Sequence, residues 1–502
     1  MKIRFVTLGC KLNFAESSAL GKELMLRGHQ RATQNEVPDV CVINTCSVTD
    51  AADHKDRQAI NQLHRKYPNA IIIVTGCYAQ LQPQQIAQID GVDYVLGQNE
   101  KYSITQLVNE LCDSLEDGVP PTERPTGYSL EAQKIRVANI REVEEFHGVH
   151  SADDRTRCFL KVQDGCNYFC SYCTIPYARG KSRNPKISEV VADAKKALEQ
   201  GAKELIITGV NIGDFGRSTG ESFIELLRAL DSLEAEKTTQ SDLINDNIDN
   251  IALESTPSSA TQENENDLGE RREGDEAMRR EDMDYRVRIS SCEPNLLTDE
   301  IIDFVAQSKH FAPHFHIPLQ SGSNEVLKIM GRRYTRELFA ERVRHIKEVM
   351  PYAFIGVDCM VGVRGETEEY WEDYLEFIKG LNVSQLHVFT YSERANTRML
   401  EMNLYVVPKA ERQRRSKILH EVSEEKTKAF YAEQTGREAI VLWESKKEGD
   451  QMAGFTENYV KVHAPYEKAK VNTFEVIRLW AIGDGRWAMG DRRWAMGDEA
   501  MR

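Results

Sequence analysis

Cys166, Cys170 and Cys173 fall in a C-x3-C-x2-C spacing within Gln163-Asp-Gly-Cys166-Asn-Tyr-Phe-Cys170-Ser-Tyr-Cys173. Three thiolates on one short loop can ligate three irons of a 4Fe-4S cubane and leave the fourth iron without a protein ligand. Such an open iron can chelate the amino and carboxylate groups of S-adenosylmethionine. One electron then breaks the sulfonium bond and releases a 5′-deoxyadenosyl radical. The other chemistry open to these residues is a zinc knuckle. Structural zinc takes four ligands in a closed site, and no His or Cys follows within twenty residues of Cys173. Cys158 lies upstream in a segment that reads as a strand, a poor place for a fourth ligand. The spacing favours the cluster over zinc.

Cys10, Cys46 and Cys77 each stand directly after a short apolar run, at 3–8, 40–44 and 70–75. These runs alternate with helical patterns at 17–27 and 51–67, and a shorter strand at 94–97 and a helix at 103–115 follow. Buried apolar strands alternating with helices predict a parallel sheet. The carboxyl ends of its strands share one edge, where ligands bind. Three thiols distant in sequence are therefore expected to converge. A single free thiol is usually core, and Cys41 (in a strand) and Cys112 (on a helix) are read so. Three at equivalent strand ends are read as a second cluster.

A second alternating series carries the Cys166 loop. Strands are expected at 158–162, 204–210, 285–291, 314–319, 354–361 and 385–391, and a helix at 188–200 capped by Ser188. Six βα units predict a partial version of the eight-unit barrel, whose chemistry sits at the carboxyl ends of the strands. The polar, Gly-containing strand ends supply Gly209, Asn211, Ser291, Gln320 and Gly362 as candidate cofactor contacts. Each alone is weak, since loop glycines are commonly plain turn chemistry. Runs at 436–443, 452–455, 459–463 and 471–479 alternate apolar and polar residues, as in a small antiparallel β module.

The fold class is thus α/β: an N-terminal open parallel sheet, a partial (βα)6 barrel and a small C-terminal antiparallel β module. The expected domains are 1–113, a Pro-rich linker at 114–154, a core at 155–430, the β module at 431–484 and a low-complexity tail at 485–502, where Arg-Trp-Ala-Met-Gly-Asp occurs twice. The net charge of −15 argues against a nucleic-acid partner, but residues 235–284 hold 15 acidic and 5 basic residues. The rest of the chain carries only −5. That stretch has no Phe, Trp or Tyr and is read as a disordered insertion. No apolar run reaches a membrane span, and the start reads as a strand rather than a signal peptide. Eleven cysteines in such a chain point to a reducing, cytoplasmic compartment.

The two cysteine sets resemble those of the radical S-adenosylmethionine methylthiotransferases, which convert a C–H bond into C–S–CH3. The resemblance covers residues 1–480 apart from the acidic stretch. It rests on Leu8-Gly-Cys-Lys-Leu-Asn13, Asn44-Thr-Cys46, Thr75-Gly-Cys77, Gly165-Cys-Asn167, Ile175-Pro-Tyr-Ala-Arg-Gly180, His316-Ile-Pro-Leu-Gln-Ser-Gly-Ser323 and Gly365-Glu-Thr367. The β module looks like the family's RNA-binding TRAM domain. Two departures are Arg364, where many members carry Pro, and Ala395-Asn396, where Pro-Gly is common.

The resemblance implies that Cys166, Cys170 and Cys173 hold the radical cluster, and that Cys10, Cys46 and Cys77 hold an auxiliary 4Fe-4S cluster that supplies or carries sulfur. One S-adenosylmethionine gives the radical and a second gives the methyl group. Of the family's three substrate branches, the motifs look most like the one acting on N6-threonylcarbamoyladenosine beside the tRNA anticodon. The alternatives are isopentenyladenosine in tRNA and a ribosomal protein. The implied partners are the anticodon stem-loop and an electron donor such as flavodoxin or ferredoxin, with the enzyme a monomer. The basic helix bearing Arg412, Arg414 and Arg415, together with the β module, is expected to hold RNA phosphates. The rival from another class is a non-catalytic, metal-stabilised RNA-binding protein using the same six thiolates.

Overall fold

The structure is a computed structural model that describes residues 1–33, 35–116, 134–151, 156–233, 283–482 and 486–489. The acidic stretch at 235–284 falls, except for its last two residues, outside the described residues, as does most of the tail.

The N-terminal part is a parallel sheet in the order β2-β1-β3-β4-β5-β6, with β1 Lys2–Thr7, β2 Gln30–Arg31, β3 Val40–Thr45, β4 Ile71–Gly76, β5 Tyr94–Leu96 and β6 Ile135–Arg136. Every residue of β3 is buried, because helices cover both faces. Four of these strands were expected. β2 is two residues long, too short to show alternation. β6 comes from the stretch read as linker: Ile135 and Arg136 pair with Val95 and Leu96. The helix Lys11–Leu26 begins directly after Cys10, earlier than its apolar pattern suggests, so the thiol stands at its amino end.

The barrel part has six parallel strands: β7 Arg157–Lys161, β8 Glu204–Thr208, β9 Arg286–Ile289, β10 His314–Gln320, β11 Phe354–Val361 and β12 Gln385–Thr390. They form two three-stranded groups, joined among the described residues by the parallel bridges Val287–Phe311 and Ser291–His316. Cys158, Leu160, Leu205, Ile207, Val287 and Ile289 face outward into the helix layer. Helix Ile187–Glu199 starts one residue before Ser188, with Lys186 at the cap position. Its first amide is satisfied from another loop, since Ile187 N–H donates to Glu221 Oε1 at 3.0 Å. A capping rule that reads only neighbours in sequence misses such a partner.

The N-terminal part bridges the open side of the barrel. On the β7 edge, Glu16 accepts from Lys161 Nζ at 3.1 Å. Beyond β12, Arg394 donates to Asp53 Oδ2 and Ser47 Oγ, each at 2.7 Å. Both departures from the family pattern fall near this closure. Arg364 pairs with Glu393, and Asn396 takes the left-handed φ of 64° that Gly or Asn adopts at low cost.

The C-terminal antiparallel sheet has the order β15-β14-β13-β16-β17. β13 is Glu438–Glu448, β14 Gln451–Thr456, β15 Lys461–Pro465, β16 Phe474–Ile482 and β17 Arg486–Met489. The repeat read as a tail outside the fold thus contributes a fifth strand, whose register pairs Leu479 with Met489. The module packs at the amino ends of β8 and β9. Arg286 donates to the carbonyls of Ile440 and Phe455, and Arg288 to those of Thr456 and Glu457. Glu204, fully buried, pairs with both arginines. Removing one partner of a buried ion pair costs about 3–5 kcal/mol, because the other charge stays buried. Glu204→Ala is therefore expected to lower the urea midpoint by a loss of about that size. An unchanged midpoint would show that the arginines find other partners.

Candidate iron–sulfur centres

Three tight turns bring Cys10, Cys46 and Cys77 together. Gly9 has φ +95°, and a Cβ there would lie 2.5 Å from Cys46 Cβ and 2.9 Å from its Sγ. Only glycine lets the Cys10 turn cross Cys46 at this distance. Gly76 has φ +102°, and a Cβ there would lie 2.3 Å from the Thr45 carbonyl oxygen, so the Cys77 turn is pressed onto the Cys46 turn. The Asn13 side-chain amide donates to Leu8 O at 2.8 Å and Thr45 O at 3.0 Å, tying the first two turns. Gln98 Nε2 donates to Cys77 Sγ at 3.1 Å. Burial, with Cys77 and Cys10 as electrostatic neighbours, pushes the Cys46 thiol up to about 12.

Cys166, Cys170 and Cys173 lie past the carboxyl end of β7. Gly165, with φ +70°, packs its α-carbon against the Lys181 carbonyl, where a Cβ would fall at 2.0 Å. Cys166 N–H donates to Gly180 O, and Cys173 N–H to Cys170 O, both at 3.0 Å. Arg332 Nη1 lies 3.3 Å from Cys170 Sγ, and Tyr168 N–H donates to Cys166 Sγ at 3.4 Å. Burial raises Cys166 to about 11 and Cys173 to about 12, with the neighbouring thiols adding to both. A metal must displace these protons. Among the described residues no three His, Cys, Asp or Glu side chains gather as one metal ion requires. A cubane takes each thiolate on a separate iron.

Asn211 is where the fit to a bound cofactor can be examined. It is 3% exposed, its side-chain amide interacts with the Tyr168 hydroxyl, and its backbone N–H is held by Gln163 Oε1 at 2.8 Å. Gly209 packs beside the same Gln163. Ser291 bridges to His316. Gln320 is a non-glycine residue at φ +65°, 8% exposed, a conformation that persists only where the surroundings impose it. Gly362 fits less well. Its N–H is taken by Glu366 Oε1, and a Cβ there would lie 2.2 Å from Arg412 Cγ, so only its carbonyl is left for a ligand.

Of the three arginines of the basic helix, Lys409–Glu433, expected to meet phosphates, Arg415 is buried, Arg412 is half-buried and Arg414 stays exposed. Arg415 is 1% exposed and pairs with Glu366, Glu368 and Glu411. Arg414 pairs with Glu411 and Glu368, and Arg412 donates to the Val407 and Tyr391 carbonyls. A charge pattern on one helix does not show the acids brought in from Gly365-Glu-Thr-Glu368.

Several residues near the triads carry no sequence signal of their own. Arg332 also pairs with Glu293 and reaches Tyr172 OH at 3.4 Å, and Arg333 lies 4.0 Å over the Tyr168 ring. A buried network joins the two triads. Glu16 pairs with Lys101, Lys161 and Arg179, and Asp164 pairs with Lys161 and Arg179. Arg179 Nη2 donates to Asn13 Oδ1 at 2.7 Å. The links from Glu16 and Asn13 to Lys161 and Arg179 run between parts more than a hundred residues apart, which no local spacing displays.

No helix among the described residues is long and apolar enough to cross a membrane. The radical SAM superfamily model matches residues 160–378, and the family described as uncharacterized protein family UPF0004 matches residues 2–97. The chain is 34% identical over 469 residues to the threonylcarbamoyladenosine tRNA methylthiotransferase MtaB of Bacillus subtilis (strain 168), covering 92% of this chain and 89% of that one. It is 32% identical over 464 residues to the MtaB of Aquifex aeolicus (strain VF5), covering 92% and 96%. A tRNA-2-methylthio-N(6)-dimethylallyladenosine synthase of Desulfitobacterium hafniense (strain Y51) is 28% identical, covering 94% and 93%. The chain therefore belongs to the radical S-adenosylmethionine methylthiotransferases, enzymes of 4Fe-4S clusters and S-adenosylmethionine, on their threonylcarbamoyladenosine tRNA methylthiotransferase branch.

Proposed function

We infer that this enzyme converts N6-threonylcarbamoyladenosine, next to the anticodon of cytoplasmic tRNA, into its 2-methylthio derivative. The observation that carries the reading is full-length similarity to two relatives bearing that name, at higher identity than to the dimethylallyladenosine synthase. Cys166, Cys170 and Cys173 are the ligands of the radical cluster. Cys10, Cys46 and Cys77 are those of the auxiliary one. Asn211, Gly209, Ser291 and Gln320 line the cofactor side, with Gly362 at most through its carbonyl. When bound, the clusters and S-adenosylmethionine supply the electron, the radical, the sulfur and the methyl group. The protein's part is placement. β7 and its glycine turn hold one triad, three strand-end turns, two of them at Gly9 and Gly76, hold the other, and the N-terminal part closes the barrel side so that a base drawn in is shielded from water. Unstacked loop bases are the ones RNA-modifying sites extract. A monomer and a flavodoxin- or ferredoxin-type donor complete the reading.

The test compares anticodon stem-loops carrying N6-threonylcarbamoyladenosine or isopentenyladenosine, each incubated with reconstituted enzyme and read by nucleoside mass spectrometry. Methylthio product is expected on the first, with little on the second. Product only on the second would overturn the branch-specific substrate. Product only on a ribosomal protein would overturn the RNA reading.

A further inference from the structure

Arg179 stands between the triads. It lies on the short helix Ile175–Arg179 that follows Cys173, is 1% exposed, and touches both halves of the molecule. Toward the radical loop it donates to Asp164 Oδ1 at 3.0 Å, two residues before Cys166. Toward the N-terminal part it donates to Glu16 Oε1 at 3.1 Å and Asn13 Oδ1 at 2.7 Å. Asn13 holds the Cys10 and Cys46 turns through Leu8 O and Thr45 O, and its Oδ1 lies 3.9 Å from Cys10 Sγ. One guanidinium fork thus pins both cysteine loops, a geometry that a lysine's point charge does not reproduce.

Counted as formal charges, the network carries an excess of one cation, with burial drawing the Lys101 ammonium down from its ordinary range. Lys101, Lys161 and Arg179 oppose Glu16 and Asp164, all with side chains no more than 5% exposed. Arg183 adds a further cation at the rim. An uncompensated buried charge is costly. The group able to offset it is an anionic cluster held by the auxiliary cysteines, since Arg179 binds Asn13 Oδ1, which lies 3.9 Å from Cys10 Sγ.

We propose that Arg179 is a positioning residue of the auxiliary centre. It fixes the Cys10 and Cys46 turns through Asn13, and the excess positive charge of its network stabilises the reduced, more negative state of the cluster held by Cys10, Cys46 and Cys77. This rests on the assignment of those three cysteines under the proposed function.

The test uses the full chain with Cys166, Cys170 and Cys173 replaced by Ala, so that only the auxiliary cluster reports. Its midpoint is measured by redox titration with electron paramagnetic resonance. Arg179→Gln is expected to lower the reduced-to-oxidised ratio tenfold at a fixed poise, a downward shift of about 59 mV for one electron. Arg179→Lys keeps the charge and is expected to shift it less. Glu16→Gln removes an anion from the same network and is expected to shift the midpoint upward. An unmoved midpoint in Arg179→Gln with full iron content overturns the proposal, as does a downward or absent shift in Glu16→Gln. If Arg179→Gln fails to fold, the Glu16→Gln shift alone decides. If the background chain with native Arg179 takes up no iron, the assignment of Cys10, Cys46 and Cys77 fails first, a result distinct from an iron-loaded cluster with an unmoved midpoint.

Discussion

Replacing Cys166, Cys170 or Cys173 with Ala is expected to abolish cleavage of S-adenosylmethionine, measured as 5′-deoxyadenosine formed with dithionite. Each thiol sits on a loop with little freedom to rearrange. Gly165 is pressed on the Lys181 carbonyl, Ser171 N–H is bound to Met330 O, and Cys173 N–H to Cys170 O. Cys158, the upstream thiol, does not stand ready to replace a lost thiolate, since it is 1% exposed and packed in the outward-facing core. Arg332 gives a scale for the effect. It donates to Cys170 Sγ from outside the ligand set, and loss of such outer partners at metal sites costs about 10–100-fold in affinity or activity. Arg332→Ala is expected within that range and the cysteine variants beyond it, at no detectable product. Normal deoxyadenosine from any one of them would remove that cysteine from the radical centre.

The sequence made the thiols legible because their signal is local. C-x3-C-x2-C is one loop, and a cysteine directly after an apolar run marks a strand end. The parallel alternation of β1, β3, β4 and β5 is legible for the same reason, since a strand buried on both faces writes itself as an apolar run. What escaped was non-local. β6 lies within a Pro-rich stretch, and its strand character comes from the edge of β5 that it covers. β17 repeats a peptide that looks like low-complexity sequence, yet it pairs with β16. The arginines of helix Lys409–Glu433 read as a cationic face because the helix was taken alone. In the fold, Glu366 and Glu368 neutralise Arg415. Arg179 lies in a family motif and Lys161 in an expected strand, but nothing in the sequence pairs either with Glu16. Only the closure of the barrel by the N-terminal sheet makes them a buried network, and with it the link between two sites that the cysteine pattern shows as separate.

That separation carries the second large effect. Cys10→Ala, Cys46→Ala and Cys77→Ala are each expected to leave deoxyadenosine formation intact while eliminating the methylthio nucleoside. The radical triad is anchored by Gly180, Lys181 and Met330, none of which belongs to the N-terminal part. Losing a thiol from the other triad therefore leaves its ligands in place. At the auxiliary site the loss is local and complete, because the three turns are stitched by Gly9, Gly76 and Asn13 into one arrangement with one thiol from each. Cys41 is nearby in sequence but is 0% exposed within β3 and cannot substitute. The folded state should survive: Cys10 is exposed, and trimming a single small side chain from Cys46 or Cys77 removes little apolar area. The measurement is paired quantification of deoxyadenosine and methylthio nucleoside on one modified stem-loop. Uncoupled cleavage with no product is the expected result. Normal product from any variant would take that cysteine out of the auxiliary centre. Loss of both signals would mean that the two triads form one cooperative unit through Arg179 rather than two separable centres.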